Sequence, residues 1–375
     1  MTTHTWHLEP RRVLWLAITF LLIAGSSSCT SDGAGSNAAT STTARSTATE
    51  CAEFGGDPIE TGRRHLSFDG KDRQYQLSLP EDHDPAEPVP VILNLHGLTS
   101  NIEEQDAVSN LPTAAGARGY AVVTPEALPA SLPIAGGSSS NFWNIIPLFV
   151  PPAEPGTESP ATTQAIEGAG DDLGFLSAAM DDVERVLCVD TDREYVTGIS
   201  NGAGMTMALI CTEDDRFAAA APVAGVNMGT VCPATKPTSL IAFHGDADPL
   251  VPIEGGDMFS YPLGLPSVTD RLGTAAALAG CDPTPTTTEP SEDSVHRVWT
   301  CPDGYGMELY TIIGGGHTWP GVTTYIDPGT TRSTPSDGSE ASPFDIETIV
   351  GHQTTDIVAT DLMLDFFDDH TRAAS

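Results

Sequence analysis

One short stretch constrains this chain more than any other: Tyr195-Val196-Thr197-Gly198-Ile199-Ser200-Asn201-Gly202-Ala203-Gly204. A β-branched run leads into Gly-x-Ser-x-Gly, and a helix-forming run with Met205, Met207, Ala208, Leu209 and Ile210 leads out. A strand that turns straight into a helix has no room for side chains beside the turn. Gly198 and Gly202 let the backbones close up, and Ser200 is left projecting above the sheet edge. The helix starts beside that serine, so its unbonded N–H groups and the positive end of its dipole face the hydroxyl. A serine so placed reads as a nucleophile rather than a plain turn residue.

The flanking sequence carries the same alternation. Short apolar runs at Gln74–Leu79, Pro90–Leu95, Ala121–Thr124, Glu194–Ile199, Ala218–Val223, Leu240–Phe243 and Glu308–Ile313 read as strands. Val91-Ile92-Leu93-Asn94-Leu95 is nearly continuous in apolar character, as a strand covered on both faces should be. Between them, Asp171–Leu187 places Leu173, Leu176, Met180, Val183 and Leu187 on one helical face, and Thr355–Asp368 closes the chain as a further helix. The expected class is α/β, a mostly parallel central sheet flanked by helices in a single catalytic domain. Two polar segments rich in Pro or Gly, 129–163 and 323–352, are long enough to be functional loops.

The remainder of the chain bounds the setting. Arg11-Arg12 precede an apolar run from Val13 to Ala24 that is short for a membrane span and ends in Gly25-Ser26-Ser27-Ser28-Cys29. Residues 1–29 therefore read as an export leader. Cleavage before Cys29 would leave a lipid-anchored lipoprotein, and ordinary cleavage nearby would release a soluble protein. Small residues before Cys29 favour the first outcome, while Ser26 stands where Leu is usual. Residues 30–50, rich in Ser, Thr, Ala and Gly, read as a disordered tether, and 51–375 as the domain.

Acidic residues number 51 against 16 basic, a net charge of −35, and only Lys71 and Lys236 are lysines. That surface excludes nucleic acid and anionic membranes as partners and argues against a polyanionic substrate. Any membrane attachment would run through the N-terminal lipid, and a monomer is expected. Of seven cysteines, those beyond Cys29 form an even set, which in an exported chain reads as disulfides. Sequence alone does not choose among the possible pairings. A Cys188–Cys211 bridge would brace the elbow, Cys281 and Cys301 flank a local excursion, and Cys51 and Cys232 would then pair by elimination. No C-x-x-C pair suggests a metal, and no cofactor is expected.

A serine hydroxyl needs a base within hydrogen-bond reach and an acid to orient that base. When a strand–Gly-x-Ser-x-Gly–helix elbow carries the serine, both follow it in the chain. In His244-Gly245-Asp246-Ala247-Asp248-Pro249-Leu250-Val251-Pro252, which follows an apolar strand, Asp246 and Asp248 compete as the acid, and Asp248 is favoured in part by the resemblance given below. In Ile313-Gly314-Gly315-Gly316-His317-Thr318-Trp319-Pro320-Gly321, a strand ends, the glycines turn freely and His317 follows as the base. His296, His352 and His370 also lie after Asp248 but lack that placement. Two backbone N–H groups should hold an oxyanion: Asn201, directly after the serine, and Leu98 in Leu95-His96-Gly97-Leu98-Thr99. His96 is read as structural. Trp143 and Trp319 are candidates to pack against substrate or simply to fill the core.

Together these motifs resemble the secreted esterase family of poly(3-hydroxybutyrate) depolymerases and related feruloyl and acetylxylan esterases, within the α/β-hydrolase superfamily. The resemblance spans roughly Leu66 to Phe367, with Gly314-Gly315-Gly316-His317-Thr318-Trp319-Pro320-Gly321 its most specific element. It extends to Asp171-Asp172-Leu173-Gly174-Phe175. It implies Ser200 as nucleophile, Asp248 as orienting acid, His317 as base and no cofactor. A Cys188–Cys211 bridge is similar to one near the nucleophile in that family. Leu98 and Ala203 stand where the family often has Cys and Gly, and neither change removes a backbone donor. The implied activity is hydrolysis of a neutral ester, a polyester or its oligomers, by an exported enzyme. Feruloyl or acetyl esters of plant cell walls are the alternative substrates. A serine peptidase and a non-catalytic envelope binding protein are more distant readings.

Overall fold

Alternate residues of a strand point to opposite faces of its sheet, so a strand buried at every position needs cover on both sides. The computed structural model describes residues 51, 59–131, 139–145, 169–213, 215–229, 237–258, 261–322 and 349–372. The leader 1–29, the tether 30–50, Cys232 and most of the two long polar segments lie outside them. All the described residues fall within the unit Ala44–Ser375.

Among the described residues the first strands are an antiparallel pair, β1 (Gly62–Phe68) and β2 (Lys71–Ser78), followed by β3 (Val89–Leu95). Helices α1 (Ile102–Ser109) and α2 (Leu111–Gly116) lead to β4 (Ala121–Pro125), and a small hairpin pairs β5 (Pro129–Ser131) with β6 (Ser139–Asn141). Helix α3 (Asp172–Val186) precedes β7 (Val189–Ile199), which turns directly into α4 (Asn201–Thr212). Then come β8 (Ala219–Val223), β9 (Ser239–Gly245), a small β10 (Gly256–Met258) and β11 (Tyr261–Leu265) pair, and α5 (Val268–Leu278). Strands β12 (Thr286–Ser291), β13 (Ser294–Trp299) and β14 (Met307–Ile312) follow, and α6 (Ala359–Asp369) comes last.

Among the described residues, ten strands form one sheet in the order β1-β2-β4-β3-β7-β8-β9-β14-β13-β12. The six from β4 to β14 run parallel, and antiparallel pairs finish both sides. The strands β3, β4, β8 and β9 are buried throughout. One face packs Leu93 and Leu95 of β3 against α3, α4 and α5 through Phe175, Met180, Met205 and Leu272. The other packs Ile92 and Phe243 against α2 and α6 through Leu111, Met363 and Phe367. The outer β12 is short, carries Glu289 and Pro290, and is almost wholly exposed, a composition that blocks edge pairing. The class expected from the sequence, a mostly parallel α/β sheet flanked by helices, is the one observed.

The disulfides require a correction. Cys51, not Cys211, is bonded to Cys188, with their Cα atoms 5.3 Å apart and both residues buried. A cysteine forms one bridge, so neither Cys188–Cys211 nor Cys51–Cys232 exists. The N-terminal end of the domain is tied to the residue just before β7, where Val89 N–H also donates to Cys188 C=O at 2.8 Å. Cys281 is bonded to Cys301. Cys211 is also in a disulfide, with a partner that is none of these four.

Candidate active site

Ser200 lies at the hinge between β7 and α4, with φ 56° and ψ −119°. A non-glycine residue there carries backbone strain of about 1–3 kcal/mol and persists only if its surroundings fix it. They do: Ser200 N–H donates to Val223 C=O at 2.9 Å, and its own carbonyl accepts from Gly204 N–H at 3.0 Å. The flanking glycines are required by contact. A Cβ on Gly202 would lie 2.6 Å from the His96 carbonyl oxygen and nearer still to that of Leu95, and one on Gly198 would lie 2.7 Å from the Gly202 carbonyl carbon. The start of α4 is therefore pressed against the end of β3. Gly97, just past that end, would bring a Cβ to 3.6 Å from Ser200 Cβ, so the loop bearing Leu98 runs beside the serine.

Asp248 and His317 come from loops that follow β9 and β14, neighbouring parallel strands. Those loops are joined along their length. Asp246 N–H donates to Ile312 C=O at 3.0 Å, Ala247 N–H to Gly315 C=O at 2.9 Å, and Gly314 N–H to Asp246 Oδ1 at 2.6 Å. The competition between the two aspartates resolves by geometry: Asp246 is exposed and caps the glycine turn, whereas Asp248 is 5% exposed. Asp248 Oδ2 meets His317 Nδ1 at 2.7 Å, and its Oδ1 accepts from the N–H groups of Leu250 (2.8 Å) and Val251 (2.9 Å). Burial works to raise the Asp248 pKa, but the His317 imidazole and these hydrogen bonds outweigh it and hold the carboxyl below its ordinary value. An ionised carboxylate only accepts hydrogen bonds, so Nδ1 of His317 is the donor and Nε2 is left unprotonated in the neutral ring.

Among the described residues no hydrogen bond joins the Ser200 hydroxyl to the His317 ring. Such bonds are often long before substrate binds. The other imidazoles are engaged elsewhere. His296 bonds Glu308 at 2.7 Å, His352 bonds Asp293 at 2.8 Å, and His370 bonds Phe366 C=O at 2.7 Å. His244, one strand position before Gly245, is buried and donates from Nε2 to Val251 C=O at 2.8 Å. Burial lowers its pKa, so it stays neutral beside Asp248. His96 is fully buried and its pKa is lowered to about 4 by burial.

Both tryptophans require a correction. Trp143 is 0% and Trp319 1% exposed, so neither ring can face a substrate. Trp319 packs in the core between the sheet and α6, where its Nε1 donates to Thr360 Oγ1 at 2.9 Å. Trp143 lies against the His96 ring and donates from Nε1 to His96 C=O at 2.9 Å. Their aromatic signal reported core filling. Asp172 had drawn attention only through the resemblance. It is buried and bonded to Arg73 at 2.7 Å and to Asn144 N–H at 2.8 Å, and burial raises its pKa against the pull of Arg73. Among the described residues no cluster of three or more His, Cys, Asp or Glu could hold a metal ion.

No family model matches the chain. It is 27% identical over 302 residues to a putative esterase, NocK, of Nocardia uniformis subsp. tsuyamanensis, covering 73% of this chain and 78% of that one. It is 29% identical over 189 residues to feruloyl esterase C of Emericella nidulans, covering 49% and 58%. It is 26% identical over 263 residues to poly(3-hydroxyalkanoate) depolymerase C of Paucimonas lemoignei, covering 64% and 56%. The chain thus spans little more than half the length of the last two. A mostly parallel sheet whose strand ends gather a strained serine and a buried Asp–His pair is thus found in a chain whose sequence is similar to esterases of these kinds.

Proposed function

We propose that the domain hydrolyses neutral carboxylic esters through a Ser200–His317–Asp248 triad and an acyl-enzyme. The observation that carries the reading is the buried Asp248–His317 pair at 2.7 Å, on the same edge of the sheet as a serine held at φ 56°. His317 Nε2 takes the Ser200 proton as Oγ attacks the ester carbonyl carbon. The Leu98 and Asn201 N–H groups hold the resulting oxyanion, and Asp248 stabilises the imidazolium. His317 then protonates the departing alkoxide oxygen as the carbon–oxygen bond breaks. Water, deprotonated by the same imidazole, releases the acid and restores the serine.

The substrate we favour is a polyhydroxyalkanoate-type ester or its oligomers, because the alignment to the depolymerase covers 64% of this chain. Feruloyl esters are the second reading, supported by the feruloyl esterase C relatives. The disulfides fit an oxidising compartment outside the cytoplasm, with Cys29 as the proposed lipid anchor. The test is hydrolysis of short p-nitrophenyl esters, methyl ferulate and amorphous polyhydroxybutyrate by the protein and its Ser200→Ala variant. Loss of turnover in the variant is expected, with the polyester preferred. Equal turnover by both proteins would remove Ser200 from the mechanism, and preference for the ferulate would replace the polyester assignment.

A further inference from the structure

The two proposed oxyanion donors lie on different segments, Leu98 after β3 and Asn201 at the start of α4. A transition state needs them at a fixed spacing. The segment Asn141–Asn144 is bonded to both. On the Leu98 side, Asn141 C=O accepts from Thr99 N–H at 2.9 Å, Asn141 Nδ2 donates to Ser100 C=O at 3.0 Å, and Trp143 Nε1 donates to His96 C=O at 2.9 Å. On the other side, Trp143 N–H donates to Asn201 Oδ1 at 2.7 Å, and Asn201 Nδ2 donates back to Trp143 C=O at 3.0 Å. The Asn201 amide thus pairs with Trp143 much as a neighbouring strand would. Behind the segment, Asn144 N–H donates to Asp172 Oδ2 at 2.8 Å, and Arg73 holds the other carboxylate oxygen.

We propose that this strap sets the geometry of the oxyanion hole, with the Asn201 side chain and Trp143 as its positioning residues. The inference rests on the acyl-transfer reading above. Asn201 then serves twice: its backbone N–H holds the oxyanion and its side chain holds the strap. Asparagine is a poor residue inside a helix and costly to bury unless fully bonded. At 3% exposure it has both amide groups satisfied by the backbone of one residue, which packing alone would not require. Trp143 has one polar side-chain atom, and that atom is committed to the peptide just before Gly97.

The experiment compares Asn201→Ala, Trp143→Phe and the double variant in the full chain. The readouts are kcat and KM on p-nitrophenyl butyrate and the affinity of a trifluoromethyl ketone that forms a tetrahedral adduct with the serine. Each single change should lower kcat about 10- to 100-fold, with KM within about twofold and ketone affinity falling in step with kcat. The double variant should lose little more than the worse single one, because both act on one strap. Asn201→Asp adds a signature: its carboxylate repels the Trp143 carbonyl, so its kcat relative to wild type should recover as pH falls and the carboxyl regains a donor. If Asn201→Ala does not fold, Trp143→Phe, which keeps most of the ring volume, decides alone. Unchanged kcat and ketone affinity, or a loss confined to KM, would overturn the strap. Ser200→Ala separates the two claims: turnover surviving there sinks the esterase mechanism itself, whereas a dead Ser200→Ala beside wild-type strap variants sinks only the strap.

Discussion

Replacing Asp248 by Asn changes one atom's hydrogen-bonding character and leaves the shape intact. The present carboxylate accepts three bonds: two backbone N–H groups on Oδ1 and His317 Nδ1–H on Oδ2. An amide can be placed two ways. With its oxygen toward Leu250 and Val251, its NH2 faces His317 Nδ1, which must then become the acceptor. The ring proton moves to Nε2, and the nitrogen meant to take the serine proton already holds one. With the amide turned over, NH2 faces the two backbone donors and leaves them buried and unbonded, at about 1–3 kcal/mol each. The first arrangement is therefore the stable one, and it is the inactive tautomer. A carboxylate-to-amide change at the orienting acid of such a triad lowers kcat by about 10⁴, equivalent to about 5 kcal/mol of barrier. Asp246→Asn is the control, since Asp246 is exposed and its side chain accepts from the glycine turn rather than from His317; its effect should stay within about tenfold. Turnover of p-nitrophenyl butyrate, followed across pH with active-site titration, measures both. Asp248→Asn retaining a tenth or more of wild-type kcat, or Asp246→Asn losing as much, would refute the assignment of the acid.

Three further outcomes follow from the same contacts. Gly202→Ala would push α4 off the end of β3, because its Cβ would sit 2.6 Å from the His96 carbonyl oxygen. A loss of about 1–3 kcal/mol in urea unfolding and about 10² in kcat is expected, and an unaffected kcat would mean the elbow tolerates the shift. Asp172→Asn keeps an acceptor for Asn144 N–H but removes the countercharge of buried Arg73. It should cost about 3–5 kcal/mol, and adding Arg73→Met should restore most of that; a double variant as unstable as the single would refute the pairing. Glu194, buried midway along β7, has its pKa pushed up to about 8 by burial, against the pull of Arg216 and with Glu184 alongside. The folded state therefore holds that proton more tightly than the unfolded state. Its contribution is full below the ordinary carboxylate range and disappears as pH rises through about 8. Urea midpoints should fall more steeply from acid to mildly alkaline pH in wild type than in Glu194→Gln, and equal slopes would remove Glu194 from the account.

What the sequence made legible was what local physics determines. Strands at Val89–Leu95, Ser239–Gly245 and Met307–Ile312 followed from apolar runs too short for helices, and the elbow from glycines that leave no alternative to close approach. The acidic loop after β9 and the glycine turn after β14 were readable for the same reason, since each follows an apolar strand and so emerges where parallel strands end. Pairings across the fold were not readable. Cys188 bonds Cys51 across a separation of 137 residues, and nothing near Cys188 distinguishes that partner from Cys211, a strand, a turn and a helix away. The tryptophans misled in a related way. An aromatic residue beside a catalytic motif looks the same in sequence whether it lines a cleft or fills a core, and only burial separates the two.

The strap was hidden for a further reason. Its hydrogen bonds run mostly to backbone, and a backbone partner leaves no mark on residue identity. The exceptions are side chains such as Asn141, Trp143 and Asn201, whose types are explicable only once their partners are seen. Those three residues supply the amide and indole groups that tie together the loop after β3 and the start of α4, two segments that must agree in position for the proposed chemistry to work. An asparagine directly after Ser200, at the start of a run otherwise made of small and apolar residues, is thus the one sequence signal that could have pointed to the strap, because a helix has no use of its own for a buried amide.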